Sequence, residues 1–221
     1  MDKSNLNERL EKITLGHAAT EGLAALYETS EVNSIDKLID LADSVEERTI
    51  IITDITSACA IGINAYIRFW NKYDNELNIP IENRKPIRIL IDSTGGELDA
   101  GLCIHDSITL STTPVHTINI SKAYSAGFMI FLAGHKRITY PNASFLYHEG
   151  SCGINQTDAN KFDNYADFYK MQRGLLKKIM ISRTTIDDAA YYEHARDDWW
   201  FSAEEAINYG IADEIIDRAQ F

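Results

Sequence analysis

Segments with the pattern of a strand alternate with segments with the pattern of a helix from residue 48 onward, and this alternation constrains the fold most strongly. RTIIITDI (48–55) is predicted as a buried strand, and SACAIGINAYIRFWNKYD (57–74) carries apolar residues at helical spacing. The unit then repeats as PIRILID, ELDAGLCIHDSITLS, VHTINI and SAGFMIFLAG, in the order strand, helix, strand, helix. This order predicts an α/β fold.

The last third of the chain continues the pattern with clearly delimited elements. Two short strands, KRITY and SFLYH, precede a long helix predicted over residues 157–183. A final helix, SAEEAINYG, begins with Ser202 as its N-cap and Glu205 as the capping-box partner, and it ends at Gly210. The strand DEIID follows this helix. Residues 48–221 are therefore expected to form one domain.

Residues 1–47 have a different character from the rest of the chain. They are rich in acidic residues and contain two short helical patterns, over residues 6–27 and 35–42, separated by SEVNS. This composition predicts a separate, acidic helical N-terminal segment, which we interpret as a solvated extension of the domain.

Charge and cysteine usage restrict the class of protein. The formal net charge of −12 at pH 7 argues against nucleic acid or an anionic membrane as a partner, because both would repel this surface. Cys59, Cys103 and Cys152 are scattered without CxxC or Cys/His spacing, which predicts neither a disulfide framework nor a zinc site and fits a reducing compartment. No stretch reaches the ~20 apolar residues of a membrane span, and the charged N-terminus does not resemble a targeting segment, so a cytoplasmic location is expected.

A glycine pair lies in DSTGGE (92–97), between a predicted strand and a predicted helix. Gly95 and Gly96 allow a tight turn and present bare backbone N–H groups, although paired glycines also occur in turns that only connect two elements. The phosphate-binding patterns GxxxxGK[ST] and GxGxxG are absent here, which argues against nucleotide binding at this turn.

Ser125 stands between the predicted strand VHTINI and the apolar helix SAGFMIFLAG. A hydroxyl at this place lies at the positive end of the helix dipole, which favours a developing alkoxide and the oxyanion that follows it. Serine is also a favoured N-cap. The residue therefore has two interpretations, as a nucleophile or as the cap of the helix.

A histidine and two aspartates follow later in the chain. His148 ends the predicted strand SFLYH, where it is either a general base or a satisfied core residue. Asp197 and Asp198 precede Trp199 and Trp200, which would shield a carboxylate from water and strengthen a bond to imidazole; a solvated loop carboxylate is the alternative.

Taken in series, four motifs resemble the proteolytic subunit of the Clp protease. They are DSTGGELDAG after a strand, where the family usually has NSPGG, then AYSAGFMIFLAG, PNASFLYHEG and DDWWFSAEEAINYGIADEII. The resemblance extends over residues 48–216. It implies a ClpP-like domain at 48–221 with a crotonase-like α/β fold of repeated ββα units and an extended handle helix.

The resemblance also implies a serine endopeptidase. By their places in the motifs, Ser125 is the nucleophile, His148 the general base and Asp198 the orienting acid, and the backbone N–H groups of Gly96 and Ala126 form the oxyanion hole. Peptide bonds would be hydrolysed through an acyl-enzyme, and no metal or cofactor would be required.

Partners follow from the same resemblance. Family members form homo-oligomeric rings of seven subunits, two of which enclose a chamber for peptides and unfolded proteins that an AAA+ unfoldase delivers. This chain departs from that pattern in two places. Asp197 replaces an arginine used in pairing the rings, so a heptamer and a double heptamer both stay open. The acidic residues 1–47 replace a short apolar loop that meets the unfoldase, so docking of an AAA+ ATPase also stays open.

Two other functions remain open at this point. A crotonase-fold enzyme acting on acyl-coenzyme A would share the ββα repeat and the pair of backbone N–H groups, with Glu97 as the carboxylate nearest to the glycine pair in sequence. A non-catalytic assembly subunit would retain the fold alone. The presence of all three candidate triad residues argues against that last interpretation.

Overall fold

A sheet of seven strands forms the centre of the computed structural model within the residues that it describes, which are 47–150, 158–194 and 197–218. The strands are β1 (Thr49–Ile52), β2 (Ile87–Ser93), β3 (Val115–Tyr124), β4 (Lys136–Thr139), β5 (Ser144–Tyr147), β6 (Trp199–Ser202) and β7 (Glu214–Ile215). The main path of the sheet follows the order β1-β2-β3-β4-β7, and its four pairings are parallel. β5 pairs in parallel with β3 and antiparallel with β6.

Six α-helices lie in the same ranges of the chain. They are α1 (Ser57–Glu76), α2 (Leu98–Thr109), α3 (Ala126–Ala133), α4 (Ala159–Arg183), α5 (Asp188–His194) and α6 (Ala203–Asn208). α1 and α2 connect successive parallel strands, as parallel pairing requires. The α/β fold class predicted from the sequence is therefore confirmed. Within the described ranges, none of these helices is long and apolar enough to cross a membrane.

The core is built around the central strands and the short helix α3. Ile87, Ile89 and Ile91 of β2 are fully buried and alternate with half-buried residues. All eight residues of α3 are buried, and this helix packs against α2, α4 and β3. Complete burial of one such aliphatic or aromatic side chain contributes about 1.5–3 kcal/mol. Apolar packing therefore fixes α3 from all sides.

An arginine holds the C-terminal end of α3 against α4. Arg183 donates from Nε to the Leu132 carbonyl at 2.8 Å and from one terminal nitrogen to the Gly134 carbonyl at 2.5 Å. Carbonyl groups at a helix end have no intrahelical donor, and a cation there also suits the helix dipole. The position of α3 is consequently determined by polar bonds at its end as well as by its packing.

Most of the predicted elements are confirmed, with differences at their ends. The strand predicted as VHTINI continues as β3 to Tyr124, because its last residues pair with β5 after its pairing with β4 has ended. Ile50 and Ile52 of the edge strand β1 are buried on one face, but Ile51 on the other face is 39% exposed, so the strand is less buried than predicted. The capping box is confirmed, since Ser202 N–H donates to Glu205 Oε2 at 2.8 Å and Glu205 N–H donates to Ser202 Oγ at 3.2 Å. α5 and β6 were not predicted.

Some predictions fall on residues that the structure does not describe. The helices predicted over 6–27 and 35–42 lie outside the described residues, so the acidic segment 1–47 and its separation from the domain stay predictions. The long predicted helix is described from Ala159 onward as α4. Cys152 also lies outside the described ranges, within which Cys59 and Cys103 carry free thiols.

A buried ion pair joins the start of β1 to α1. Two nitrogens of Arg48 donate to the two carboxylate oxygens of Asp74, at 2.8 and 2.7 Å, and Thr113 Oγ1 donates to the same carboxylate at 2.8 Å. The guanidinium lies 4.0 Å from the ring centre of Trp70. Burial alone would raise the pKa of Asp74, but the hydrogen bonds from Arg48 and Thr113 outweigh burial and hold this pKa below its ordinary value.

We expect Asp74→Ala to lower the free energy of unfolding by about 3–5 kcal/mol, because it leaves a buried guanidinium without its carboxylate. The matched control is Glu76→Ala, which removes an exposed ion pair with Lys72 on the same helix and should cost at most about 1 kcal/mol. Urea unfolding of both variants measures the difference, and equal losses would contradict the prediction.

The ion pair also makes stability depend on pH. Because the folded-state pKa of Asp74 is lowered, its contribution to the free energy of unfolding is present above the unfolded-state pKa and is lost as the pH falls through the folded-state pKa.

Candidate active site

Ser125 occupies a turn that connects β3 directly to α3, without an intervening loop. Its backbone has φ +55° and ψ −120°, a conformation that a non-glycine residue rarely adopts and that stores strain. The N–H of Ser125 donates to the Leu146 carbonyl at 2.9 Å, and its own carbonyl accepts from the Phe128 N–H at 3.0 Å. These bonds and the buried helix hold the turn, which directs the serine side chain away from the helix axis.

The hydroxyl of Ser125 does not cap α3, although the residue occupies the N-cap position. Ser125 Oγ lies instead 2.6 Å from Nε2 of His148, at hydrogen-bond distance. Both residues are half-buried. Of the two interpretations of this serine, the structure disfavours the helix cap and brings the hydroxyl to an imidazole.

The parallel pairing of β3 with β5 explains why these two residues meet. Tyr124 and Leu146 are partners in this ladder, so Ser125 is one residue beyond the last pair on β3 and His148 is two residues beyond it on β5. Parallel strands end at the same edge of a sheet, and both side chains therefore leave the sheet at one place. Sequence predicts each strand end separately, but only the pairing joins them.

The antiparallel ladder between β5 and β6 determines which aspartate faces the imidazole. Its last pair is Tyr147 with Trp199, so the same register places Asp198 opposite His148. Since side chains alternate between the two faces of a strand, this register directs Asp198 toward His148 and Asp197 away from it. The N–H of Asp197 donates to the His194 carbonyl at 3.0 Å, in the turn that precedes β6.

The distance between the imidazole and the carboxylate is longer than a hydrogen bond. Nδ1 of His148 lies 3.9 Å from Oδ1 of Asp198, whose side chain is 61% exposed. Trp199 is buried and Trp200 is exposed, and the exposure of Asp198 shows that the two tryptophans do not shield its carboxylate from water. Of the two alternatives for this carboxylate, shielded or solvated, the structure supports the solvated one. Asp198 lies near His148 but not within hydrogen-bond distance of it.

The glycine pair approaches the serine turn closely. A Cβ built on Gly95, whose φ is +110°, would lie 2.7 Å from Cβ of Ser125, a distance that real Cβ atoms essentially never show. The N–H of Gly95 donates a hydrogen bond to Ser93 Oγ at 3.1 Å. Only glycine permits both the left-handed backbone and this contact, and so the turn after β2 lies directly against the turn after β3.

Two backbone N–H groups flank this contact. Gly96 forms a parallel β-bridge with Ile55. The hydrogen bond in this bridge comes from the N–H of Glu97, which donates to the Ile55 carbonyl at 2.9 Å, and not from the N–H of Gly96. Ala126 is the first residue of α3, where an N–H group has no partner within the helix. The prediction that the Gly96 and Ala126 amides act together on an oxyanion stays a prediction.

The rival carboxylate, Glu97, has another role in the structure. Its Oε2 accepts from the hydroxyl of Ser57 at 2.6 Å and from the N–H of Ser57 at 3.1 Å, at the start of α1. It thereby satisfies donors at a helix N-terminus, which is a structural role. Among the residues described, no group of three His, Cys, Asp or Glu side chains could hold a metal ion.

β6 and the tyrosines near the histidine were not predicted. WWFS is rich in aromatic residues, which favour strands, but its alternation of buried and exposed residues is visible only in the structure. No spacing in the sequence indicates that Tyr191 of α5 contacts Tyr147 of β5, since the two residues are 44 positions apart.

Comparison with known proteins gives a consistent match. The family model described as Clp protease matches residues 70–219. The ATP-dependent Clp protease proteolytic subunit 2 of Treponema denticola is 34% identical over 133 residues, which are 59% of this chain and 66% of that protein. The ATP-dependent Clp protease proteolytic subunits of Paracoccus denitrificans and Streptococcus sanguinis are each 31% identical, over 61% and 62% of this chain and 68% and 72% of their own lengths.

We expect Gly95→Ala to slow the reaction of Ser125 with a fluorophosphonate on the order of 10²-fold, because the new methyl group displaces the hydroxyl from the imidazole. Gly210→Ala is the matched control, since Gly210 also has positive φ, at +64°, but lies at the end of α6 against Thr185. Labelling rates and melting temperatures of both variants check the prediction. Equal labelling rates in the two variants would contradict it.

Proposed function

The chain belongs to the Clp protease family, and from this membership we propose that it is a serine endopeptidase whose triad is Ser125, His148 and Asp198. The observation that carries the proposal is the 2.6 Å distance between Ser125 Oγ and His148 Nε2 at a strained turn. A serine hydroxyl within hydrogen-bond distance of an imidazole is the arrangement in which an adjacent base activates a nucleophile for acyl transfer. The crotonase-like α/β fold supplies the two strand ends that carry them.

In the first step, His148 Nε2 accepts the proton of the Ser125 hydroxyl while Oγ attacks the carbonyl carbon of a peptide bond. The carbonyl oxygen becomes an oxyanion, which the N–H groups of Gly96 and Ala126 stabilise by donating hydrogen bonds to it. The dipole of α3 acts in the same direction, because Ser125 lies at its N-terminal end. The protonated imidazole then gives its proton to the leaving amine, and an acyl-enzyme remains.

Water completes the cycle by hydrolysing the acyl-enzyme, with His148 again acting first as base and then as acid. His148 accepts a proton from a water molecule, which attacks the acyl carbon, and the returned proton restores the serine hydroxyl. Asp198 orients the imidazole in this scheme by accepting from Nδ1–H. To form that bond, its carboxylate must approach by about 1 Å from the observed 3.9 Å.

Assembly and substrates follow from the family in the same proposal. α4 carries a series of exposed apolar side chains that winds around the helix, comprising Phe162, Tyr165, Phe168, Met171 and Leu175. An exposed apolar surface of this kind is typical of an interface. We propose that copies of the chain cover it in a homo-oligomeric ring that cleaves unfolded polypeptides. The relatives are named ATP-dependent, and a separate unfoldase would account for that dependence here.

We expect a fluorophosphonate to label the wild-type chain at Ser125 and Ser125→Ala not to be labelled. Hydrolysis of a small peptide ester should fall by roughly 10⁴-fold or more in the variant, because the nucleophile is absent. Mass spectrometry of the labelled peptide locates the modified residue, and circular dichroism checks that the variant is folded. Wild-type rates in a folded Ser125→Ala would refute the assignment of the nucleophile, and no labelling in an assembled ring would indicate a non-catalytic subunit.

We expect Asp198→Asn to reduce kcat on the order of 10³- to 10⁴-fold, since an amide favours the wrong tautomer of His148. Asp197→Asn makes the same chemical change one residue away and should leave kcat within about twofold, because the ladder directs Asp197 to the other face. The steady-state hydrolysis of a peptide ester by both variants tests the choice. A larger loss in Asp197→Asn would reverse the assignment.

A further inference from the structure

His148 is the first residue beyond the end of β5, so the pairing of that strand with β3 and β6 does not include it. The residues on its two sides, Tyr147 and Glu149, are each bonded through their side chains to one residue of α5. Tyr147 Oη lies 2.8 Å from Tyr191 Oη, and Tyr191 Oη donates to Glu149 Oε1 at 3.0 Å. One hydroxyl therefore contacts both chain neighbours of the histidine.

The directions of these bonds follow from the number of protons. A tyrosine hydroxyl has one proton to donate, and a carboxylate can only accept. Because Tyr191 donates its proton to Glu149, the proton in the bond between the two tyrosines must come from Tyr147. Burial raises the pKa of both hydroxyls, that of Tyr191 to about 12, so both protons are present at neutral pH.

Packing surrounds the two tyrosines of this chain of bonds, and an ion pair lies at its other end. Tyr147 and Tyr191 are each 1% exposed, and their rings pack with centres 5.8 Å apart. Tyr147 also packs against Phe128 of the buried helix α3. At the other end, a terminal nitrogen of Arg173 on α4 donates to Glu149 Oε2 at 3.1 Å. β5, α5 and α4 are thus joined around the position of the histidine.

We propose that Tyr191 is a positioning residue for the general base, whose hydroxyl holds both neighbours of His148 and thereby keeps Nε2 at hydrogen-bond distance from Ser125. Side chains alternate along an extended chain, so Tyr147 and Glu149 point to the side opposite His148 and act on it through the backbone. Tyr191 has no contact with substrate in this role. The proposal rests on the proposed peptidase function.

Tyr191→Phe tests the proposal by removing the hydroxyl while keeping the ring. We expect kcat for a peptide ester and the rate of fluorophosphonate labelling to fall together by roughly three- to tenfold, as for the loss of one buried hydrogen bond. KM should be unchanged, because the variant alters the base and not the contacts with substrate. Tyr192→Phe is the matched control, because it removes a neighbouring hydroxyl that is exposed and bonded to Lys177, and it should retain wild-type kcat.

Substitutions at Glu149 keep the test decisive if Tyr191→Phe folds poorly. Glu149→Ala removes the acceptor and should lower kcat as Tyr191→Phe does, whereas Glu149→Gln keeps a carbonyl acceptor for the tyrosine and should restore most of kcat. A Tyr191→Phe protein with wild-type kcat, or a Glu149→Gln protein as slow as Glu149→Ala, would overturn the proposal. Labelling of the wild-type chain at Ser125 is independent of both results, so failure of the positioning role is distinguishable from failure of the peptidase function.

Discussion

The turn between β3 and α3 is the constraint on which the rest of the site depends. A helix of eight buried residues starts immediately after a ten-residue strand, and Ser125 takes the strained backbone conformation that this change of direction requires. Strain of roughly 1–3 kcal/mol persists only where the surrounding structure fixes it. Here the packing of α3, the bonds of Arg183 to its last turn and the close approach of Gly95 together supply that fixation.

Two kinds of strand pairing bring the other two residues to this turn. The parallel ladder of β3 and β5 brings two strand ends to one edge, which places His148 beside Ser125. The antiparallel ladder of β5 and β6 reverses the chain, so the residue before β6 lies opposite the residue after β5. A serine, a histidine and an aspartate that are far apart in sequence are therefore related by two registers and one turn. A shift of one residue in the second register would place Asp197 at the histidine instead.

Local patterns predicted the strands β2 and β3, the helices α1 to α3 and the capping box of α6, because each depends on residues that are close in sequence. Ser125 and His148 could be singled out as candidates because each lies in a short motif, and the structure brings their side chains to 2.6 Å. The length of β3 could not be predicted, because its last residues pair with β5, which begins 20 residues after β3 ends. The bonds of Tyr191 likewise depend on the packing of α5, and no periodicity records that contact.

The contacts of His148 with Asp198 differ from those of its chain neighbours with Tyr191 in how firmly folding fixes them. The pair of half-buried His148 and exposed Asp198 at 3.9 Å contributes little to stability, so folding of the chain does not by itself bring the two side chains to hydrogen-bond distance. The buried hydroxyls of Tyr147 and Tyr191 also add little net stability, since folding exchanges their bonds to water for bonds to protein. Their effect is on geometry. A buried hydroxyl without a hydrogen-bond partner is costly, so the side chains of Tyr147 and Tyr191 keep the arrangement in which both hydroxyls are bonded. In the proposed mechanism, His148 is therefore held through the buried hydroxyls of Tyr147 and Tyr191, whereas Asp198 lies at the water-exposed side.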